Sequence, residues 1–310
     1  MNRFKDFLFR YKKWIKRIGF TLILIPVLVF GLLVAILYTK QDYFVGLALE
    51  QANKDFNGKI EVGGSHIAPF ANFPNISIDL EHLKIYESKA DSAACLLHLK
   101  DTYLGFDLTK LLSGDVVVKK IKLSDGTIDI RQHKDGSFNI ANALASKVPS
   151  EEVSEDLHLS LESIILDNVD ISKLNESTNL GVDLLIKKAE SRFHSHAKGI
   201  DFELDSDLKL SIIQHRDTTF FNNKHLEFQT QFSYLNEGSK LEFKETSLAF
   251  EKTLLDFNGS IHLTKDLFVD LNLKGHKPDF NLFLSLAPPE LSEALKDFDN
   301  QGKIYFNASI

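Results

Sequence analysis

Cysteine is all but missing from this chain of 310 residues: Cys95 stands alone, so no intramolecular disulfide can form and the fold must rest on its own core. Cys95 itself sits in an Ala-Ala-Cys-Leu-Leu run and reads as a small apolar residue. Catalytic signatures are missing as well. There is no GxSxG, no HExxH, no Walker loop and no GxGxxG. The eleven histidines are scattered, and only His194 and His196 fall close enough to share one face of a strand. Neither has a cysteine or an evident carboxylate partner nearby, so a metal site is not expected. Asp125 with Asp129, and Asp167 with Asp170, read as turn residues that cap their own backbone rather than as acid/base pairs. The expectation is a protein without catalytic residues, cofactor or metal.

Charge is missing from one long stretch. Ile18 to Thr39 holds 22 residues without a charged side chain, and a helix of that length spans about 33 Å. A bilayer core is about 30 Å thick, and Pro26 and Gly31 are tolerated in membrane helices. Residues 1–17 hold seven cationic side chains and one carboxylate, a surplus of six, so the net −7 of the whole leaves −13 for the remainder. By the positive-inside rule the N-terminus stays in the cytoplasm and the bulk is translocated. No small-x-small cleavage site follows, so 18–39 reads as an uncleaved transmembrane anchor. The acidic remainder excludes nucleic acid as a partner.

What is present is alternation. After an amphipathic helix at 40–58, opened by Asp42 and closed by Asn57-Gly58, the period of the apolar residues changes from 3.6 to 2. Ile76, Ile78 and Leu80 alternate, and Leu83 and Ile85 resume out of phase, which predicts a bulge near Glu81-His82. Phe202, Leu204, Leu208, Leu210 and Ile212 share one face of a strand, Leu226, Phe228, Phe232 and Tyr234 one face of the next. Leu241 and Phe243, Leu248 and Phe250, Ile261 and Leu263 continue the series. Leu267, Val269, Leu271 and Leu273 alternate most cleanly of all. One apolar and one polar face per strand is the pattern of an antiparallel sheet with one side open to water.

Two stretches repeat weakly: Ile121-Lys-Leu-Ser-Asp-Gly-Thr-Ile-Asp-Ile130 and Ile164-Ile-Leu-Asp-Asn-Val-Asp-Ile171. Each reads as strand, tight turn, strand, with Asp125-Gly126 and Lys134-Asp135-Gly136 as hairpin signals. Residues 146–156 read as an acidic loop, and 279–298 as a helical insertion opened in its second half by Pro288-Pro289. A fresh strand starts at Lys303 and the chain stops inside it without a partner, as an N-terminal fragment of a longer protein would.

Order and motif together resemble the AsmA family of envelope proteins and its TamB-like relatives. The resemblance rests on the basic N-terminus, the anchor, the short helix and the run from Ile76 to Tyr86. It continues in Leu111-Leu-Ser-Gly followed by the strand to Leu123, in Gly126-Thr-Ile-Asp-Ile-Arg131, and in Asp135-Gly-Ser-Phe-Asn-Ile140. It covers residues 1–145, whereas 157–310 match in style alone. The resemblance implies a mainly β protein with a long curled groove-like sheet, inner-membrane-anchored and periplasmic, that binds or conducts phospholipids toward the outer membrane. Outer-membrane or other envelope proteins are the alternative partners, with the chain then serving as an assembly factor. The strand faces expected to meet acyl chains carry Phe202, Leu204, Leu208, Leu210, Leu226, Phe228, Phe232, Leu267, Val269 and Leu271. Alternation alone leaves a closed sandwich and an open groove equally possible.

Overall fold

The computed structural model describes residues 52–72, 75–107, 116–145, 157–214, 218–236, 239–251, 253–263 and 267–275, with isolated positions between 24 and 50 and at 110, 293–294 and 307–309. Among the described residues no helix is long and apolar enough to cross a membrane, and most of the 18–39 stretch lies outside them. Those of its residues that are described are helical, with Leu28 and Leu32 exposed. The described residues between 42 and 55 are helical too, where the sequence places its amphipathic helix. The 146–156 loop, the Leu111-Leu-Ser-Gly motif and most of the 279–298 insertion lie outside the described residues.

Thirteen strands form one sheet. They are β1 (Lys59–Glu61), β2 (Gly64–Asn72), β3 (Asn75–Tyr86), β4 (Cys95–Phe106), β5 (Val116–Gln132), β6 (Leu157–Asn175) and β7 (Leu180–His196). Then follow β8 (Gly199–Gln214), β9 (Thr218–Leu235), β10 (Lys240–Phe250), β11 (Thr253–Leu263), β12 (Leu267–Gly275) and β13 (Asn307–Ser309). From β3 onward each strand pairs with the next in sequence, while β1 and β2 both lie along β3. The chain's last strand therefore has a partner: β13 pairs with Asn272–Lys274 of β12, contrary to the expectation of an unpaired end. All the described strands belong to this one sheet.

The all-antiparallel expectation needs one correction. β5 and β6 run parallel, Ser124 beside Asp167 and Ile128 beside Ile171. Parallel neighbours cannot be joined by a tight turn and require a crossover, usually with a helix in it. Here the crossover holds helix α1 (Asn139–Leu144). Its Ala143 is fully buried, and Ile140 packs on the core cluster of Leu97, Leu99, Ile128 and Val169. The period of 2 is blind to strand direction, so nothing in the alternation pointed to this pair.

The two repeats are these two strands, and neither is a hairpin. Asp125 and Asn168 lie mid-strand in the left-handed region, at φ 52° and 55°, side by side, and the Asn168 amide donates to Asp125 Oδ1 at 2.6 Å. Asp and Asn tolerate this conformation better than other non-glycine residues, and the same demand in a type I′ turn makes Asp-Gly a hairpin signal. Asp129 and Asp167 likewise bind Arg131 and Lys122 across the strand surface instead of capping turns. His82, at φ 51°, does in β3 what Asp125 and Asn168 do in β5 and β6. Each advances the alternation by one residue, so that Leu80 then Leu83, and Leu166 then Val169, stay on one face. The phase change expected near Glu81-His82 is this feature, but it is not a bulge, because Glu81 faces Asp101 and Leu83 faces Leu99 with the register to β4 kept. In β7 the register slips between Ile186 and Lys188 against β8, and the phase change ends there.

Gly126 follows Asp125 and lies close against the β4 backbone. A Cβ on it would sit 2.1 Å from the His98 carbonyl oxygen and 2.8 Å from Leu99 Cα, backbone atoms with no freedom to swing aside. Gly126→Ala is expected to destabilise by about 2–3 kcal/mol, as over-packing in a tight site does. Chemical denaturation against the native chain reads this directly, and an unchanged midpoint would remove the constraint.

The apolar face and the comparison with known families

Strands β5 to β9 are 16 to 19 residues long, against about 5–6 in an ordinary strand. Such length sets many cross-strand rows in register, and one row is a line of phenylalanines. Phe193 faces Phe202, Phe202 faces Phe232 and Phe232 faces Phe243. Ring centroids are 5.3, 4.7 and 5.4 Å apart, and Phe243 reaches Phe257 at 5.6 Å. Phe228 closes on Phe257 at 6.0 Å. These separations are typical of interacting aromatic pairs, so the rings form one continuous strip over β7 to β11.

Of the ten residues the sequence assigns to the acyl-facing surface, nine come together on this face. In β8 and β9, Phe202, Leu204, Leu208 and Leu210 alternate with polar residues and meet Phe232, Thr230, Leu226 and Lys224; Phe228 meets Ser206. Val269 and Leu271 join through Ile261 and Gly259 of β11. All nine are half-buried. For Leu267 only the backbone pairing, with Leu263, is described. Sequence reasoning did not assign Phe193 or Phe257 to the surface, although Phe257 keeps step with Leu255 and Ile261.

It also missed the floor. Ser206, Thr230 and Thr246 are nearly inaccessible, Thr246 at 2 %, although each is short and polar. They lie between Leu204, Phe228 and Phe257, whose larger side chains overhang them. The Thr230 and Thr246 hydroxyls satisfy each other at 2.6 Å, which removes the penalty of burying them. Small residues below and tall apolar ones around make a trough whose upper surface is hydrocarbon.

The opposite face is laced with ion pairs: Lys122 with Asp167, Lys187 with Asp207, and Arg192 with Glu190 and Glu203. A cleft of about 1050 Å3 opens among Glu190, Arg192, Glu203, Asp205, Gln229 and Asn258, and Leu204, Thr230, Thr246 and Phe257 line it as well. Within it Arg192 is held by Glu190 and Glu203. Phe268, 61 % exposed, stands on this polar face against His262. His194 and His196 pair with Asp201 and Gly199 on the neighbouring strand, and among the described residues no three potential ligands gather for a metal. Cys95 is exposed, not packed as an apolar residue, because it opens β4 where the register with β3 slips.

One carboxylate is out of keeping with this solvated face. Asp79 is 1 % exposed, accepts from the Thr102 backbone N–H at 3.1 Å and lies 3.4 Å from His66 Nε2, with Asp101, Glu81 and Tyr103 around it. Burial holds its pKa above the ordinary 3.8, against the pull of His66. A carboxyl with a raised folded pKa binds more protons folded than unfolded, so its contribution worsens as pH rises through that interval and recovers below 3.8. Asp207 has the opposite sign, because Lys187 and then His225 hold its pKa down, and its contribution is lost on acidification. Asp79→Asn, which keeps an acceptor for Thr102, is expected to raise the melting temperature at neutral pH. That gain should shrink as the pH falls towards 4, and a gain independent of pH would contradict this account.

No curated protein matches the chain. The profile of the AsmA family matches residues 10–265, which carries the likeness past the first 145 residues and through β6 to β11. A match over most of the length, on a chain that folds into one sheet with an apolar face, settles kinship: the chain belongs to the AsmA family.

Proposed function

We propose that this is an envelope protein, anchored in the inner membrane by residues 18–39 with its N-terminus in the cytoplasm, whose sheet holds the acyl chains of phospholipids and conducts them toward the outer membrane. The observation that carries the reading is the half-open hydrocarbon face over β7 to β12, in a sheet with no second layer among the described residues to cover it. Contiguous apolar surface of this extent is uncommon on a monomer that meets only water, and it marks a surface that meets something apolar. Acyl chains suit it, since each methylene removed from water contributes about 0.8 kcal/mol and a smooth trough asks for no polar recognition. The chemistry is binding and release, with no covalent step. The test is extraction of the full chain in mild detergent and quantification of co-purifying lipid by mass spectrometry. Phospholipid at or above one molecule per chain supports the reading, and lipid at the level of an unrelated single-span control protein removes it.

A further inference from the structure

The apolar face is not uniform, and the difference bears on how it is filled. Over β4 to β6 it is closed at the core cluster, around which Leu123, Ile130, Leu166 and Ile171 are half-buried. Leu99 and Val169 are fully buried, and Leu97 and Ile128 nearly so, beneath a layer to which Ile140 of α1 contributes. Over β8 and β9 seven of the assigned side chains are half-open, as are Val269 and Leu271 in β12. The closed tract is also the one next to the membrane-anchoring end of the chain. Residues 56–58 follow the helical stretch directly and are stitched to α1: Gly58 N–H donates to the Ala143 carbonyl at 2.8 Å, Asn57 N–H to that of Ala145 at 3.3 Å, and the Asn57 amide to that of Asn142 at 3.2 Å. β1 then pairs with β3 at this edge.

We propose that α1 is a stopper, seated by Ile140 and Ala143, which seals the apolar face at its N-terminal end, so that acyl chains reach the open tract from its flank, at β7 and beyond, and never thread through β3 to β6. This rests on the acyl-binding reading above and adds to it where the chains lie and what keeps them out of the first half. A chain lying over β4 to β6 would have to displace Ile140 and Ala143, losing as much apolar contact as it gained. Over β8 and β9 the half-open side chains leave it room.

The experiment places the full native chain in vesicles of phosphatidylethanolamine and phosphatidylglycerol containing a phospholipid with a diazirine in its acyl chain. After irradiation, adducts are mapped to peptides by mass spectrometry. Labelling of the 18–39 peptide reports that the protein sits in the bilayer. Adducts are expected on peptides holding Phe202, Phe232 and Phe243, at least tenfold above those on peptides holding Leu97, Ile128 and Val169. In Ile140→Ser, checked for an intact sheet by circular dichroism, the β4 to β6 adducts should rise severalfold while the others hold. Equal labelling of the two tracts in the native chain would overturn the stopper while leaving lipid binding intact. So would β4 to β6 labelling that stays flat in Ile140→Ser. Labelling of 18–39 with none on any strand would overturn the acyl-binding reading itself.

Discussion

Leu204→Asp and Phe228→Asp are each expected to lose nearly all bound lipid while the protein stays folded. Both side chains are half-buried on the trough, in adjacent strands, with Leu204 facing Thr230 and Phe228 facing Ser206. In the lipid-free state an aspartate there can turn its carboxylate to water. The loss is then confined to one ring or isobutyl contact and a poorer strand residue, about 1–2 kcal/mol. In the loaded state the same carboxylate lies against methylenes, and an unpaired charge buried in hydrocarbon is unfavourable by several kcal/mol. Since 1.4 kcal/mol is a factor of ten in affinity, bound lipid should drop at least about tenfold. Phe268→Asp is the matched control, because Phe268 is a large exposed aromatic on the polar face of the same sheet. It should change neither lipid content nor the melting temperature appreciably. Lipid per chain and the thermal transition, measured on the three variants, decide the matter. Full lipid in a folded Leu204→Asp or Phe228→Asp would sink the trough as the acyl site, and an unfolded protein would mean that this face is covered by something it cannot lose.

The strand faces were open to inspection in the sequence because alternation is a local property. Leu204, Leu208 and Leu210 fall on one side whatever their strand pairs with, and the same holds for Val269 and Leu271. Direction and register are not local. The parallel pairing of β5 with β6 left its trace only in the spacing of 43 residues that separates Asp125 from Asn168, Gln132 from Asn175 and His133 from Glu176, all of which touch. That offset was legible as a repeat, but Asp-Gly and Asp-Asn steered the reading toward turns, since a left-handed residue inside a strand and one in a hairpin draw on the same amino acids. The choice between sandwich and groove was beyond any periodicity, because both present one apolar face per strand. The buried Thr230–Thr246 pair was hidden for another reason: short polar side chains are buried here by the height of their neighbours, and that depends on which residues the register sets beside them.

The aspartate-glycine-x-x-asparagine layout carried the family resemblance with no evident task, and the fold supplies one that makes Asn139 the most sensitive polar position in the N-terminal half. Asp135 Oδ1 accepts from the Ser137 backbone N–H at 2.9 Å and from its hydroxyl at 2.7 Å, and Gly136 takes φ 88°, where a side chain would be strained. This tight turn brings Asn139 back against β5, 1 % exposed, ahead of the helical turn that carries Ile140. Its amide donates to the Asp129 carbonyl at 3.0 Å, and its Oδ1 accepts from Arg131 N–H at 2.8 Å and Ile140 N–H at 2.7 Å. One side chain thus joins a strand to the start of the crossover helix, whose N-cap residue, Phe138, makes no side-chain cap of its own. Asn139→Leu keeps the volume and orphans these buried groups, each worth about 1–3 kcal/mol, so a loss of about 3–5 kcal/mol is expected. Asn139→Asp separates hydrogen bonding from packing. Its carboxylate can still accept from Arg131 but faces the Asp129 carbonyl, which raises its folded pKa, so the variant should be weakest at neutral pH and recover as acid restores a donor proton. Asn139→Leu should show no such recovery. Denaturant midpoints of both variants across pH 4–8 test the clamp, and Asn139→Leu as stable as the native chain would show that α1 is held by its apolar contacts alone.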